Sequence, residues 1–425
     1  MFKFLDYNFN PETHQAFFRY EGVDGIVFTE KVTFAYDPHS PYEYTGEILD
    51  RALFLAWILI GTSYYKAHPT TEVELPVEID RWQADFFNHV YQEGLSQFAF
   101  ENNLTRADLA HFHPDDKGPT VEALTSSLSY SGQGNIVLQS GGKDSLLVGK
   151  LLEKAGVEFS PWYITSSPDQ DYPTVIDSWK TTPEIAVREI DLANLRQTGG
   201  LNGHVPVTYI NESLALIQAI LDHKNTVIAS IAQEGNEAHT TVGDLEVNHQ
   251  WSKSWSAEQL LAEYTARYIS PDLHIGSPLR KYSELRVAEL FIQNCWIEFG
   301  DKFSSCNRAN YQQGHQNKIL TWCADCAKCA NSYLLFCPFL PAAELQAIFG
   351  NEELFTKASL TNIYKGLLGI DDFIKPFECV GTVDELRKAY EMRGEDYAEL
   401  PFSVPASDFD YLMEYPIQEY FTKLL

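Results

Sequence analysis

Residues 135–156 read NIVLQSGGKDSLLVGKLLEKAG, and no other stretch of the chain narrows its fold so far. Asn135–Gln139 is a short apolar run of the buried-strand type, and Asp144–Ala155 carries a helical pattern that stops before Gly156. Between them, Gly141 and Gly142 have no Cβ to keep the backbone away from a phosphate. The N-terminus of the following helix offers unpaired N–H groups and the positive end of its dipole to an anion. Ser140 and Ser145 add hydroxyl donors and Lys143 adds charge. Asp144 can cap the helix or help to hold Mg²⁺. A glycine-rich strand–helix turn without a ligand is the plainer alternative. The loop has neither the G-x-x-x-x-G-K-[ST] nor the G-x-G-x-x-G spacing.

The flanking sequence divides into three regions. Residues 1–128 read as an α+β region suited to substrate binding, with a hairpin (Ala16–Tyr20 and Val27–Tyr36), helices near Glu47–Tyr65 and Asp80–Asn102, and a linker over Lys117–Gly134. Residues 129–300 alternate strands (Asn135–Gln139, Phe159–Thr165, Val187–Asp191, Thr226–Ser230) with helices such as Tyr209–Leu221. Such alternation predicts an α/β, doubly wound, mainly parallel sheet with helices on both faces. Residues 301–425 hold most of the cysteines and then helical, Pro-punctuated sequence.

Composition excludes several classes. With 425 residues the chain buries a sizeable core, and its 59 acidic against 31 basic residues leave a formal charge of −28. A large nucleic-acid footprint needs the opposite balance. The longest apolar run, Ala52–Gly61, is about half the ~20 residues of a membrane span, and Met1–Asn10 has no signal pattern, so a cytoplasmic enzyme is expected. All seven cysteines follow residue 294 in an odd, clustered set, which argues against a disulfide framework.

SGGKDS resembles the pyrophosphate (PP) loop of the ATP pyrophosphatases, the group of GMP synthetase and asparagine synthetase, which transfer AMP to a carbonyl or carboxyl oxygen. Ser277–Glu289 (SPLRKYSELRVAE) is similar to a segment found late in such domains. Asn202–Thr208 (NGHVPVT), Val247–Ser254 (VNHQWSKS), Lys318–Cys329 (KILTWCADCAKC) and Lys375–Gly381 (KPFECVG) follow the loop in order. As an ordered set, extended by the N-terminal ALFLAWILIGTSYYKA, they resemble the UDP-N-acetylmuramoyl-L-alanyl-L-glutamate epimerase (MurL) family over most of the chain. Ile231–Thr241, with Glu234, Asn236 and Glu237, departs from the pattern.

The resemblance implies ATP-dependent inversion of the terminal L-glutamate of a UDP-muramoyl dipeptide, with AMP and diphosphate released, ATP and Mg²⁺ as cofactors, and no nucleic-acid or membrane partner. The chemistry is coherent by itself. A proton α to an ionised carboxylate resists removal, whereas in a carboxyl-adenylate the carbonyl takes up the developing charge. Candidate proton carriers are His204, His249, Lys253 and Cys379. His249 and Lys253 are four apart and would share one face of a helix. The plain alternatives are a loop-packing histidine, a capped turn and a buried cysteine. Arg280 and Lys281 can hold a phosphate or face solvent. Three rival functions stay open: another carboxylate-activating synthetase of the same fold; a tRNA- or nucleobase-modifying enzyme, against which the acidic balance weighs; and a nucleotide-binding regulator or scaffold without turnover, against which the complete SGGKDS weighs.

Cys323, Cys326 and Cys329, with Cys306 upstream, have the spacing of a structural Zn²⁺ site, with an iron–sulfur cluster or unliganded thiols as alternatives. The arrangement is similar to that of the 7-cyano-7-deazaguanine synthase branch of the same fold. Cys337, in LLFCPFL, reads as core.

Overall fold

A computed structural model describes residues 1–35, 46–114, 128–166, 172–312 and 318–424. Tyr36 and residues 117–127 of the expected linker lie outside the described residues.

The described residues build a nine-stranded sheet. Its strands are β1 (Phe2–Asn10), β2 (Gln15–Glu21), β3 (Val27–Thr33), β4 (Val73–Glu74), β5 (Asn135–Leu138), β6 (Ser160–Thr165), β7 (Glu184–Glu189), β8 (Thr226–Ile228) and a last strand, His274–Gly276. The order across the sheet is His274–Gly276, β8, β5, β6, β7, β3, β2, β1, β4. From the His274–Gly276 strand to β7 every pairing is parallel. Counted from β5, that half reads 3-2-1-4-5, so the chain reverses its direction of travel at β5, as doubly wound sheets do. The sheet is therefore of the α/β class and mostly parallel, but mixed: β3 pairs antiparallel with β7 and extends the same sheet into an antiparallel β1–β3 meander. The N-terminal region is continuous with the following region through that edge, rather than a separate layer.

Alternation along the strands sorts side chains into two cores, one on each face. Ile136, Trp162 and Val227 join one, and their neighbours Val137, Tyr163 and Ile228 join the other. The first core receives the Gly46–Tyr65 helix, which packs on the Val207–Leu221 helix. Phe2, Phe4, Tyr20, Trp57 and Tyr64 fill it with ring contacts of 5.1–6.5 Å. Each such ring, fully buried, contributes roughly 1.5–3 kcal/mol. Gly46–Tyr65 is long and apolar enough to cross a membrane, yet 83% of its apolar window is buried, as in a core helix. The second core holds the Lys143–Ala155 helix against Glu284–Phe299, and then the C-terminal helices Ala327–Phe336 and Val383–Glu391.

The expected helix Asp80–Asn102 is two helices. Asp80 opens Arg81–Gln92 through a reciprocal capping box with Gln83. The chain then breaks at Gly94, which lies against Pro206, and restarts as Ser96–Glu101.

Candidate active site

The loop after β5 sits where the sheet reverses, at the carboxyl ends of the strands, the usual ligand position in open α/β sheets. Gly141 has φ 77°, in the left-handed region that favours glycine, and a Cβ there would meet Leu320 at 2.5 Å. Gly142 is the extended N-cap of the Lys143–Ala155 helix. The loop is braced from within: Ser145 Oγ donates to Gly142 O (3.1 Å) and accepts from Ser140 N (3.3 Å), and Gln139 Nε2 donates to Ser145 O (2.7 Å).

A cavity of about 520 Å³ opens over this loop. Ser140, Gly142, Asp144 and Ser145 line it, together with Ser230, Lys253, Lys328 and Cys379. Ser230 Oγ, just past β8, is buried and has no hydrogen-bond partner among the described residues. Lys143 does not line the cavity. Its Nζ donates to Asp144 and to Glu284, each at 2.6 Å, and it is 4% exposed. Burial pulls its pKa down, but the two carboxylates outweigh burial and raise it, so the ammonium stays charged behind the loop.

Lys253 and Cys379 face each other in the cavity. Burial pushes the Cys379 thiol up, but Lys253 and Lys328 outweigh burial and hold it below its ordinary value. Burial pulls Lys253 down, and Cys379 and Glu234 more than reverse it. Backbone bonds pin the Cys379 segment: Lys328 Nζ donates to Cys379 O (2.6 Å), Gln250 Nε2 to Val380 O (2.9 Å), and Gly381 N to Asn331 Oδ1 (3.0 Å). Cys379 is thus held in place beside two cations that shift its thiol toward ionisation.

Other sequence candidates lie elsewhere. Arg280 is fully buried and turned inward: it pairs with Glu258 (2.9 Å) and donates to the carbonyls of Ala232 and Lys253. It supports Lys253 and does not line the cavity. Lys281 lies over the ring of Tyr282. His204 and His249 pack against each other, centroids 4.3 Å apart with their planes tilted at 42°, outside the cavity lining. Burial is the first cause that lowers both, His204 to about 3 and His249 to about 4, so the rings stay neutral. His249 and Lys253 share no helix face. A single 3₁₀ turn, Trp251–Lys253, sends Lys253 to the cavity while His249 Nδ1 meets Gln97 Oε1 at 2.6 Å. In the segment that departed from the family pattern, Glu234 accepts from Ala232 N and pairs with Lys253 at 3.6 Å, while Glu237 binds Lys375.

Cys306, Cys323, Cys326 and Cys329 converge, all four Sγ within 4.8 Å of one another, and such a group can hold a metal ion. Contacts of 3.5–3.8 Å are too long for disulfides, and all seven cysteines are free. Cys337 is core.

Sequence reading missed Glu212, Glu284 and Lys328. Glu212 left a signal: it is the single acid in the helix VTYINESLALIQAIL.

Residues 1–277 match the family model described as the MurL N-terminal domain, and residues 302–401 match the MurL C-terminal domain. The chain belongs to the MurL family. A relative from Micromonospora sp., described as a UDP-N-acetyl-alpha-D-muramoyl-L-alanyl-L-glutamate epimerase, is 33% identical over 404 residues, 93% of this chain and 87% of that protein. Proteins of the same description from Salinispora tropica and Xanthomonas oryzae pv. oryzae are 32% and 31% identical, over 93% and 91% of this chain and 85% and 84% of their own lengths. Membership makes the chain an enzyme of the isomerase class. The cavity is shared by both MurL segments: the SGGKDS loop, Glu212 and Lys253 come from the first, and Lys328 and Cys379 from the second.

Proposed function

We propose that the chain inverts the terminal L-glutamate of UDP-N-acetylmuramoyl-L-alanyl-L-glutamate to D-glutamate through a carboxyl-adenylate, consuming ATP and releasing AMP and diphosphate. The observation that carries this reading is that one cavity joins a PP-type loop to a cation-activated cysteine. Activation and proton removal then occur on one bound substrate without its release.

In this scheme the loop amides and the helix N-terminus hold the departing diphosphate, with Lys143 supplying charge from behind. Asp144, 25% exposed at its side chain, is the loop carboxylate suited to Mg²⁺, which would screen the phosphate charge. The substrate carboxylate attacks the α-phosphorus, and the bond to diphosphate breaks. The Cys379 thiolate then removes the Cα proton, the C–H electron pair moves toward the carbonyl oxygen, and Lys253 remains to stabilise negative charge nearby. Reprotonation on the other face and hydrolysis of the anhydride give the D isomer and AMP. Three of the six Sγ–Sγ separations are 3.5–3.8 Å and all six are within 4.8 Å, compatible with the ~3.8 Å edge of a tetrahedron with Zn–S bonds of ~2.3 Å. The cysteine site is read as structural Zn²⁺ with no open position.

Incubation with ATP, Mg²⁺ and the muramoyl dipeptide in deuterated water is expected to yield AMP, solvent deuterium at the glutamate Cα, and D-glutamate. Inversion without ATP, or AMP without exchange, sinks the reading.

A further inference from the structure

Cys379 can take a proton from one face of the glutamate centre, and a donor is needed on the other. Glu212 is 4% exposed, lines the same cavity, and accepts no hydrogen bond among the described residues. A carboxyl so placed is costly unless paired or neutral. Its position relative to Cys379 is informative. The Val207–Leu221 helix packs in the core on one face of the sheet, with Ile136 and Val227, whereas Val380, next to Cys379, packs in the other, with Val137 and Ile228. The two groups therefore reach the cavity, which spans the carboxyl ends of β5, β6 and β8, from opposite faces of the sheet.

We propose that Glu212 is a catalytic residue, the acid that delivers a proton to the glutamate Cα on the face opposite Cys379; the inference rests on the adenylate reading above. In the forward direction the Cys379 thiolate takes the Cα proton and becomes a thiol. The resulting enolate draws the proton of the Glu212 carboxyl onto Cα, its π electrons form the new C–H bond, and Glu212 is left as a carboxylate. Exchange with water resets both groups, and no electron donor or acceptor enters. The surroundings suit these starting states. Burial, then Glu258, raises Glu212 to about 8, so it is protonated at neutral pH, while lysines hold Cys379 toward thiolate. A carboxyl raised and a thiol lowered, against their ordinary order, suit the roles of acid and base.

The test is Glu212→Gln, close in size and unable to donate an acidic proton, assayed with ATP, Mg²⁺ and the dipeptide in deuterated water. AMP release is followed beside the configuration of the recovered glutamate. The expected result is a split: D-glutamate falls by about 100-fold or more, AMP release stays within about threefold, and deuterium that enters remains in the L isomer. D-glutamate formed near the parent rate overturns the proposal. So does a parallel loss of AMP and D-glutamate, which marks a structural role; a thermal melt in the presence of ATP shows whether the variant is folded. Absence of AMP with the parent protein would sink the adenylate reading itself, and that control is read first.

Discussion

Cys379 and Lys253 each shift the other toward its charged form, against the pull of burial. A Cys379→Ala variant is expected to lose inversion by about 100-fold or more while still forming AMP, measured by chiral analysis of the product beside AMP release. The pH profile follows from the same groups. Activity should rise with pH as Cys379 ionises below its ordinary value, and fall as Glu212 deprotonates through about 8. A kcat/KM profile that climbs steadily past pH 9 would contradict this. Glu212 also carries a stability consequence. Its folded pKa is raised, so the stability it contributes is present below the unfolded carboxyl range and is lost as pH rises through about 8. Glu212→Gln should therefore melt higher than the parent at pH 9. Gly142→Val should abolish AMP release, since its Cβ alone would come within 3.1 Å of Ser305 Oγ and its methyls would fill the anion position. At this scale the glycine spacing of the loop is a local fact, whereas the cations beside Cys379 are not: Lys253 and Lys328 reach it only through folding, and the nearby Lys375 pairs with Glu237 instead. Nor are the surroundings of His204 and Arg280, because the ring contact with His249 and the pairing with Glu258 depend on residues brought together only by folding.

Elements were legible where they are long. The Lys143–Ala155 and Gly46–Tyr65 helices fall within a residue of their expected limits, whereas the three-residue strand His274–Gly276 has no period to read. The antiparallel join of β3 to β7 was also hidden, since Val32 meets Arg188 across a wide sequence gap. That join has its own fastening. Glu30, fully buried on β3, accepts from Arg188 on β7 at 2.6 Å, and Tyr64 OH donates to the same carboxylate at 2.8 Å. Glu30→Ala strands a buried guanidinium and should cost about 3–5 kcal/mol, read by denaturant unfolding. At the cysteine element, metal analysis is expected to find zinc in the parent and none in Cys326→Ser, with a lowered melting temperature for the variant. An unchanged melt with full metal content would show that the quartet does not depend on that ligand.

Across the whole molecule, a chain of net charge −28 places Lys253 and Lys328 in the lining of one cavity, with Lys143 behind its loop, so positive charge is concentrated there against the overall balance. The alternation of strands and helices pointed to a parallel sheet before any coordinates. The meeting of both MurL segments over the switch at β5 appeared only once the sheet order was known. Everything proposed for that cavity depends on a covalent bond between the substrate carboxylate and AMP. Dipeptide carrying oxygen-18 in the glutamate α-carboxylate tests this directly, by mass spectrometry of the AMP released after a single turnover. Attack of water on the acyl carbon must leave a labelled bridging oxygen on the AMP phosphorus. AMP without label, with all of the oxygen-18 still in the glutamate, would contradict an adenylate that is hydrolysed at its acyl carbon.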